Sequence, residues 1–292
     1  MHLQLITLTL AGLFHIGLSS SAASAQRLVD WPIRTTAMPD AIVSDAGAVF
    51  WNPAGLTIGT YRGQGMLVSL RTPEMLDLSG MAGVAAARFE RTVLALAFEH
   101  VGVDGFTRTD DSPAGPQFDV GENQFTLAAS RQVGSVLTAG AVARYARDDL
   151  AETDATISVG AGVMLEPAWP LRPRIGAYAL SVSDDVAWGG AFELRLPRFL
   201  GPAYQLGLAY GAQIDVHMES PQHRIATRLD WDKHASLSAG LTREPGSLGA
   251  SWSPILAASL QLNRYTLGVV RESLVNEFGA SSTFRLQGGL GP

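Results

Sequence analysis

The chain has 292 residues, no cysteine, a formal net charge of −6 and 16% charged residues. Without cysteine it has neither a disulfide nor a residue to acylate as a lipoprotein anchor, so stability must come from a core or a membrane. The mild acidity argues against nucleic acid as a partner. A charged fraction below the roughly 25% of soluble domains leaves a large soluble β-fold or a transmembrane β-barrel.

Residues 1–25 contain no Lys, Arg, Asp or Glu. Leu3 to Leu18 is mostly apolar, Ser19 to Ala25 is all Ser and Ala, and Ala23-Ser24-Ala25 has the small-x-small form of a secretory cleavage site. A membrane helix needs ~20 apolar residues, and Gln4, Thr7, Thr9 and His15 interrupt this stretch. The pattern predicts a signal peptide over 1–25, although its start carries no basic side chain.

Residues 26–60 form the next unit. Within them "DAGAVFWNPAGLT" runs from Asp45 to Thr57. Asn52 suits a helical N-cap, and Pro53 suits the first helical position, where its missing N–H is not needed. Gly55 permits close backbone approach. Ala41, Ala46, Ala48 and Ala54 allow tight packing. The segment can fold into a narrow lumen as a plug, or it can be a plain turn before the first strand.

From residue 61 to 292 the sequence reads as strands. Tyr204 to Asp215 alternates most clearly, with Tyr204, Leu206, Leu208 and Tyr210 on one face and Gln205, Gly207, Ala209, Gly211 and Gln213 on the other. Phe125 and Leu127, Ile225 and Leu229, and Leu237 and Leu241 repeat the greasy face in other segments. The segments suit the ~9–11 residues of a tilted bilayer-spanning strand. About fourteen are expected: 61–70, 79–89, 92–101, 123–131, 136–147, 155–165, 174–183, 187–196, 204–215, 224–232, 235–243, 247–262, 265–272 and 278–286. Pro254 suggests that the twelfth is kinked or split.

The connections favour a barrel. Glu90-Arg91, Gln132 to Ser135, Lys233-His234 and Asn263-Arg264 are short and fall at one end, whereas the longest, Gly102 to Glu122, falls at the other. Short periplasmic turns and long outer loops are the outer-membrane arrangement. Phe89, Tyr145, Tyr204, Trp231 and Tyr265 sit near strand ends, as interfacial aromatics do. The alternative is a soluble exported β-rich binding protein. Its inner faces would want large side chains, but here they are rich in Gly, Ala and Ser. The expected fold is therefore all-β: a transmembrane antiparallel β-barrel with a short N-terminal plug.

Ala41 through Leu56, with Asp45, Ala46, Phe50, Trp51, Asn52, Pro53, Ala54, Gly55 and Leu56 in the matching places, resembles the opening of the PorV/PorQ-like group of the FadL-like outer-membrane barrel superfamily. The resemblance implies that Asn52, Pro53, Ala54 and Gly55 belong to a plug near the periplasmic end. It also implies a place in the outer membrane of a Gram-negative-type bacterium and a non-enzymatic role with protein partners in secretion or surface attachment. The broader superfamily implies a passive channel for small hydrophobic molecules instead. The chain is shorter than the fatty-acid transporters of that superfamily. It also ends past Phe284 and Leu286 in a short tail, where such barrels usually carry a terminal aromatic.

No catalytic residue, cofactor or metal is expected. No G-x-S-x-G, P-loop or dinucleotide-binding glycine pattern occurs. Asp215, His217, Glu219 and His223 lack zinc-site spacing. Asp104, Asp110, Asp111, Asp119 and Glu122 lack the order of a calcium loop. Arg144, Gln205, Gln213, Arg228 and Asp230 fall on the small or polar faces and are the expected lumen-lining residues. They would form either a satisfied polar interior or a permeation path.

Overall fold

The computed structural model describes residues 33–56, 61–72, 78–107, 117–148, 155–182, 185–196, 201, 203–214, 221–232, 234–244, 251–273 and 280–290. The expected signal peptide lies outside them, as do Asp110, Asp111, Asp215, His217 and Glu219.

Fourteen strands follow in order. They are β1 (Gly63–Thr72), β2 (Leu78–Phe89), β3 (Thr92–Thr107), β4 (Gln117–Val133), β5 (Leu137–Asp148), β6 (Ala155–Leu165) and β7 (Arg174–Val182). Then come β8 (Asp185–Arg195), β9 (Tyr204–Ile214), β10 (Gln222–Trp231), β11 (Ala235–Glu244), β12 (Ser251–Leu262), β13 (Tyr265–Ser273) and β14 (Ala280–Leu290). Each pairs antiparallel with its sequence neighbour, and β1 pairs β14 through Leu67↔Leu286, so the sheet closes on itself. Closure leaves no free strand edge.

Alternation sets the two faces. On β9, Leu208 is 46% exposed and the next residue, Ala209, only 5%. Leu67, Leu96, Phe125, Leu127 and Ile157 are likewise exposed on neighbouring strands. A continuous apolar outer wall of this kind is what lipid covers and water does not. The fold is a transmembrane antiparallel β-barrel. The tight turns at one end use left-handed backbone at Glu90, Asp232 and Asn263, with φ of 56°, 48° and 56°.

Three strand limits differ from the sequence reading. β3 and β4 continue into the expected long loop, pairing Val101↔Glu122 and on to Thr107↔Gln117, with a register shift between Val103 and Phe106. In the sequence, Gly102, Asp104, Gly105 and Asp119 hide the alternation there. β14 runs on to Leu290, where Gly288 and Gly289 pair with Gly65 and Gln64. Phe284 and Leu286 are therefore within the strand. β12 is one strand. Pro254 lies one residue beyond the last β12–β13 pair, Ile255↔Glu272, a position where a missing N–H is tolerated.

Candidate functional site

Residues 33–56 lie inside the barrel, and all but Thr36, Ser44 and Asp45 are buried. Three short 3₁₀ turns, Asp40–Ile42, Ala46–Phe50 and Pro53–Gly55, give the segment its shape. Asp45 caps the second: its Oδ1 accepts from the Gly47 N–H at 2.7 Å. Asn52 caps the third, its Oδ1 accepting from the Ala54 N–H at 3.1 Å, with Pro53 at the first position.

Asn52 does more than cap. Its Nδ2 donates to the Ala41 carbonyl at 2.7 Å and to the Val163 carbonyl on β6 at 3.1 Å. One fully buried amide thus ties its own turn, the first turn and the wall together. A plain turn would leave these groups to water. Gly55 sits where a Cβ would lie 1.9 Å from the Val43 carbonyl oxygen, so only glycine fits. The wall is cut to match. A Cβ at Gly140 would lie 2.4 Å from the Pro53 carbonyl carbon, at Gly162 2.0 Å from Asn52 Oδ1, and at Gly176 1.9 Å from the Ala41 oxygen.

The segment meets two unlike walls. Toward β1–β5, Val43, Val49, Phe50, Trp51 and Leu56 pack with Met66, Val68, Val84, Val93, Ala95, Ala97 and Val142 in one apolar cluster. Toward β7–β14 the apolar contacts are smaller, with Met38, Ala41 and Ile42 against Ala191, Ala209 and Ala226 and with Ala37 against Ile255 and Val270, and ion pairs join them. Arg34 Nη1 donates to Glu272 Oε1 at 2.6 Å, Arg224 Nη1 to Asp40 Oδ1 at 2.9 Å, and Arg285 Nη1 to Asp45 Oδ2 at 2.7 Å. Arg224 also donates to Thr242 Oγ1 at 3.1 Å and to the Met38 carbonyl at 3.3 Å. Arg174 reaches the Ile42 carbonyl at 3.5 Å and pairs with buried Glu193 at 3.6 Å. On the apolar side the carboxylates of Glu99 and Glu122 are also buried, and Glu99 Oε1 accepts from the Ile33 N–H at 2.7 Å.

The expected lining residues all face the lumen. Arg144 donates to the Phe50 carbonyl, and Gln205 to the Leu196 carbonyl near the turn end. Gln213 donates to Gln222 Oε1 at 2.9 Å, and Gln222 in turn accepts from Arg34 at 3.5 Å. Arg228 and Asp230 pair with each other at 2.7 Å and remain partly exposed. Arg144 and Gln213 therefore join the segment's network, whereas Gln205, Arg228 and Asp230 do not contact it through these bonds. The segment is not confined to the turn end: its partners run from Gln222 and Glu272, near the loop end, to Gly140, near the turn end.

The sequence reading passed over Arg34, Asp40, Glu99, Arg224, Glu272 and Arg285. A usable signal was present. Arg224 precedes Ala226, Arg228 and Asp230 in the lumen-side parity of β10, and Glu99 follows Ala95 and Ala97 on β3. A charge on the inner parity of a spanning strand needs a partner.

Fold and luminal segment together define a 14-stranded barrel of the outer-membrane type with its N-terminal segment folded inside. No family model matches the sequence, and no curated protein matches it. Solved structures do. The chain is similar to the CymD monoaromatic hydrocarbon channel with a TM-score of 0.56 and 9% identity, over 87% of this chain and 95% of that one. It is similar to outer membrane protein Omp33 of Acinetobacter baumannii with a TM-score of 0.51 and 8% identity, over 79% and 98%. The toluene transporter TbuX of Ralstonia pickettii matches with a TM-score of 0.47 and 11% identity, over 84% and 94%. At these identities the likeness to CymD and Omp33 establishes the barrel fold alone.

Proposed function

We propose that the protein is a passive outer-membrane channel for small hydrophobic molecules, with residues 33–56 as its plug. The observation that carries this reading is the apolar cluster joining the luminal segment to the inner wall of β1–β5. A barrel serving hydrophilic solutes has a polar, water-filled interior. Here the segment and the β1–β5 wall share a large aliphatic and aromatic surface, interrupted by Gln64, Glu99, Glu122 and Arg144, which suits a cargo that shuns water. The barrel likeness to CymD, described as a monoaromatic hydrocarbon channel, supports the same reading and the FadL-like superfamily behind it. The PorV/PorQ-like role with secretion or attachment partners draws no comparable support. Export through a signal peptide over 1–25, with the turn end toward the periplasm, completes the proposal.

The test is uptake by cells producing the full-length protein in an outer membrane of low intrinsic permeability. A monoaromatic hydrocarbon should enter faster than in cells without the protein, and a disaccharide should not. Equal entry of both solutes would indicate a general pore. Entry of neither, with the barrel correctly inserted, would return the secretion-partner reading to first place.

A further inference from the structure

The outer surface carries a feature that the lumen does not explain. The wall around β1 and β2 is hollowed rather than convex. A groove of about 920 Å³ is floored by outward-facing Gly65, Gly83, Ala85 and Ala143 and flanked by Leu67, Leu96 and Phe125. A second, of about 660 Å³ along β12–β14, shares Leu67 and Leu286 with it. Pairing is unbroken from β14 through β1 to β6, so the hollow faces lipid and not the lumen. Its volume falls within the ~300–1,000 Å³ of small-molecule sites.

The turn end of the same wall is basic. Arg62, Arg88, Arg91, Arg131 and Arg264 are all exposed, and none forms an ion pair among the described residues. Arg62 and Arg88 continue the lumen-side parity of β1 and β2, so Arg91, Arg131 and Arg264 edge the outer wall. Backbone bonds set them side by side. The Arg88 N–H donates to the Arg62 carbonyl at 2.8 Å, the Gln132 N–H to Arg91 at 3.1 Å, and the Gly289 N–H to Arg264 at 3.0 Å. Glu90 is the one acid among them. Elsewhere the described rim mixes signs, with Glu166, Arg172, Asp232 and His234. Arg264 and Tyr265 line the groove itself, the guanidinium 5.1 Å from the ring centroid.

We infer that this wall is a binding site for an anionic phospholipid. The acyl chains lie in the groove over the small residues, and the phosphate rests on the arginine rim. Any barrel wall is coated by lipid. What sets this one apart is a hollow that takes chains below the general surface, together with an unneutralised basic edge at headgroup height. Arginine also donates to phosphate oxygens in a bidentate fashion. The inference rests on the transmembrane barrel and is independent of the channel reading.

Native mass spectrometry of the full-length protein in detergent tests it, using phosphatidylglycerol and phosphatidylethanolamine of matched chains. Phosphatidylglycerol should be retained preferentially. Each arginine near an anionic surface contributes roughly a fivefold preference, so Arg91→Gln, Arg131→Gln and Arg264→Gln together should reduce it by roughly a hundredfold. Gly65→Leu with Gly83→Leu should lower retention of both lipids, since an added Cβ at either meets nothing closer than 3.8 Å and the larger chain grows into the groove. Ala177→Leu, on β7 across the barrel, should bind as the parent protein does. Equal retention of the two lipids by the parent, or an unchanged preference in the triple variant, overturns the proposal. So does unchanged retention in the leucine pair with phosphatidylglycerol displaced by inorganic phosphate, which would mark a free-phosphate site instead.

Discussion

The two sides of the lumen hold one segment by different means. Toward β1–β5 the contacts are apolar, centred on Phe50 and Val49 against Met66, Val84 and Ala95. Toward β7–β14 smaller apolar contacts are joined by charge-assisted bonds that pair Arg34 with Glu272, Asp40 with Arg224 and Asp45 with Arg285. Apolar attraction scales with area and has little direction. A buried ion pair has strict geometry and is strongly destabilised when one partner is lost. The ionic side therefore positions the segment, and the apolar side supplies adhesion that tolerates sliding. A hydrophobic cargo moving along the apolar side would displace contacts that reform without a defined partner.

The largest test of this contrast removes both sides at once. Deleting 34–51 should leave a barrel that still migrates heat-modifiably, because closure depends on strand pairing, and single-channel conductance should rise. An assembled barrel with no rise would reduce Asn52 to Gly55 to a turn. Next come two matched variants, one for each side. Asp40→Ala strands buried Arg224 and should loosen the segment by ~3–5 kcal/mol, read as faster hydrogen exchange over 33–56 and as added ion conductance. Asp40→Leu with Arg224→Met should restore protection. Phe50→Ala should weaken the packing by ~3–5 kcal/mol, but speed hydrocarbon passage without a matching gain in ion current. If the two variants behave alike, the division of labour is wrong. Gly162→Ala thrusts a methyl at Asn52 and should cost about 1–3 kcal/mol of segment protection, with Gly65→Ala, on the outer face where a Cβ meets nothing closer than 4.0 Å, as the comparison. Arg228→Gln is the smallest. The pair with Asp230 is partly exposed and remote from the segment, so a loss under ~1 kcal/mol is expected, within the error of thermal unfolding.

Much of the wall was legible in the sequence because lipid acts on every second residue. Leu206, Leu208 and Tyr210 could not alternate with Gly207, Ala209 and Gly211 by accident of a loop. The same rule is silent in the β3–β4 hairpin, where Asp104 and Asp119 read as loop although the backbone pairs. Within the site, Asn52, Pro53 and Gly55 stood out because capping and close approach are local demands. The ion pairs did not. Arg224 and Asp40 are 184 residues apart, and nothing near either names the other. An inward arginine that fastens a segment is indistinguishable, in sequence, from one that faces water, as Arg228 shows.

The distances along the chain bear on how the molecule is assembled. Arg34 and Glu272 are 238 positions apart, and Asp45 and Arg285 are 240. The segment is synthesised before any strand, and these partners lie on the last two. Neither contact can form until β13 and β14 arrive, and the entropy of joining such distant points is met once, by closure. A β14 that slipped two residues along β1 would keep every side chain on its proper face, so the bilayer would not reject it. It would, however, carry Arg285 about 7 Å away from Asp45. The Asp45–Arg285 bond thus distinguishes the true seam from its nearest imitation, and it does so at the final step of folding.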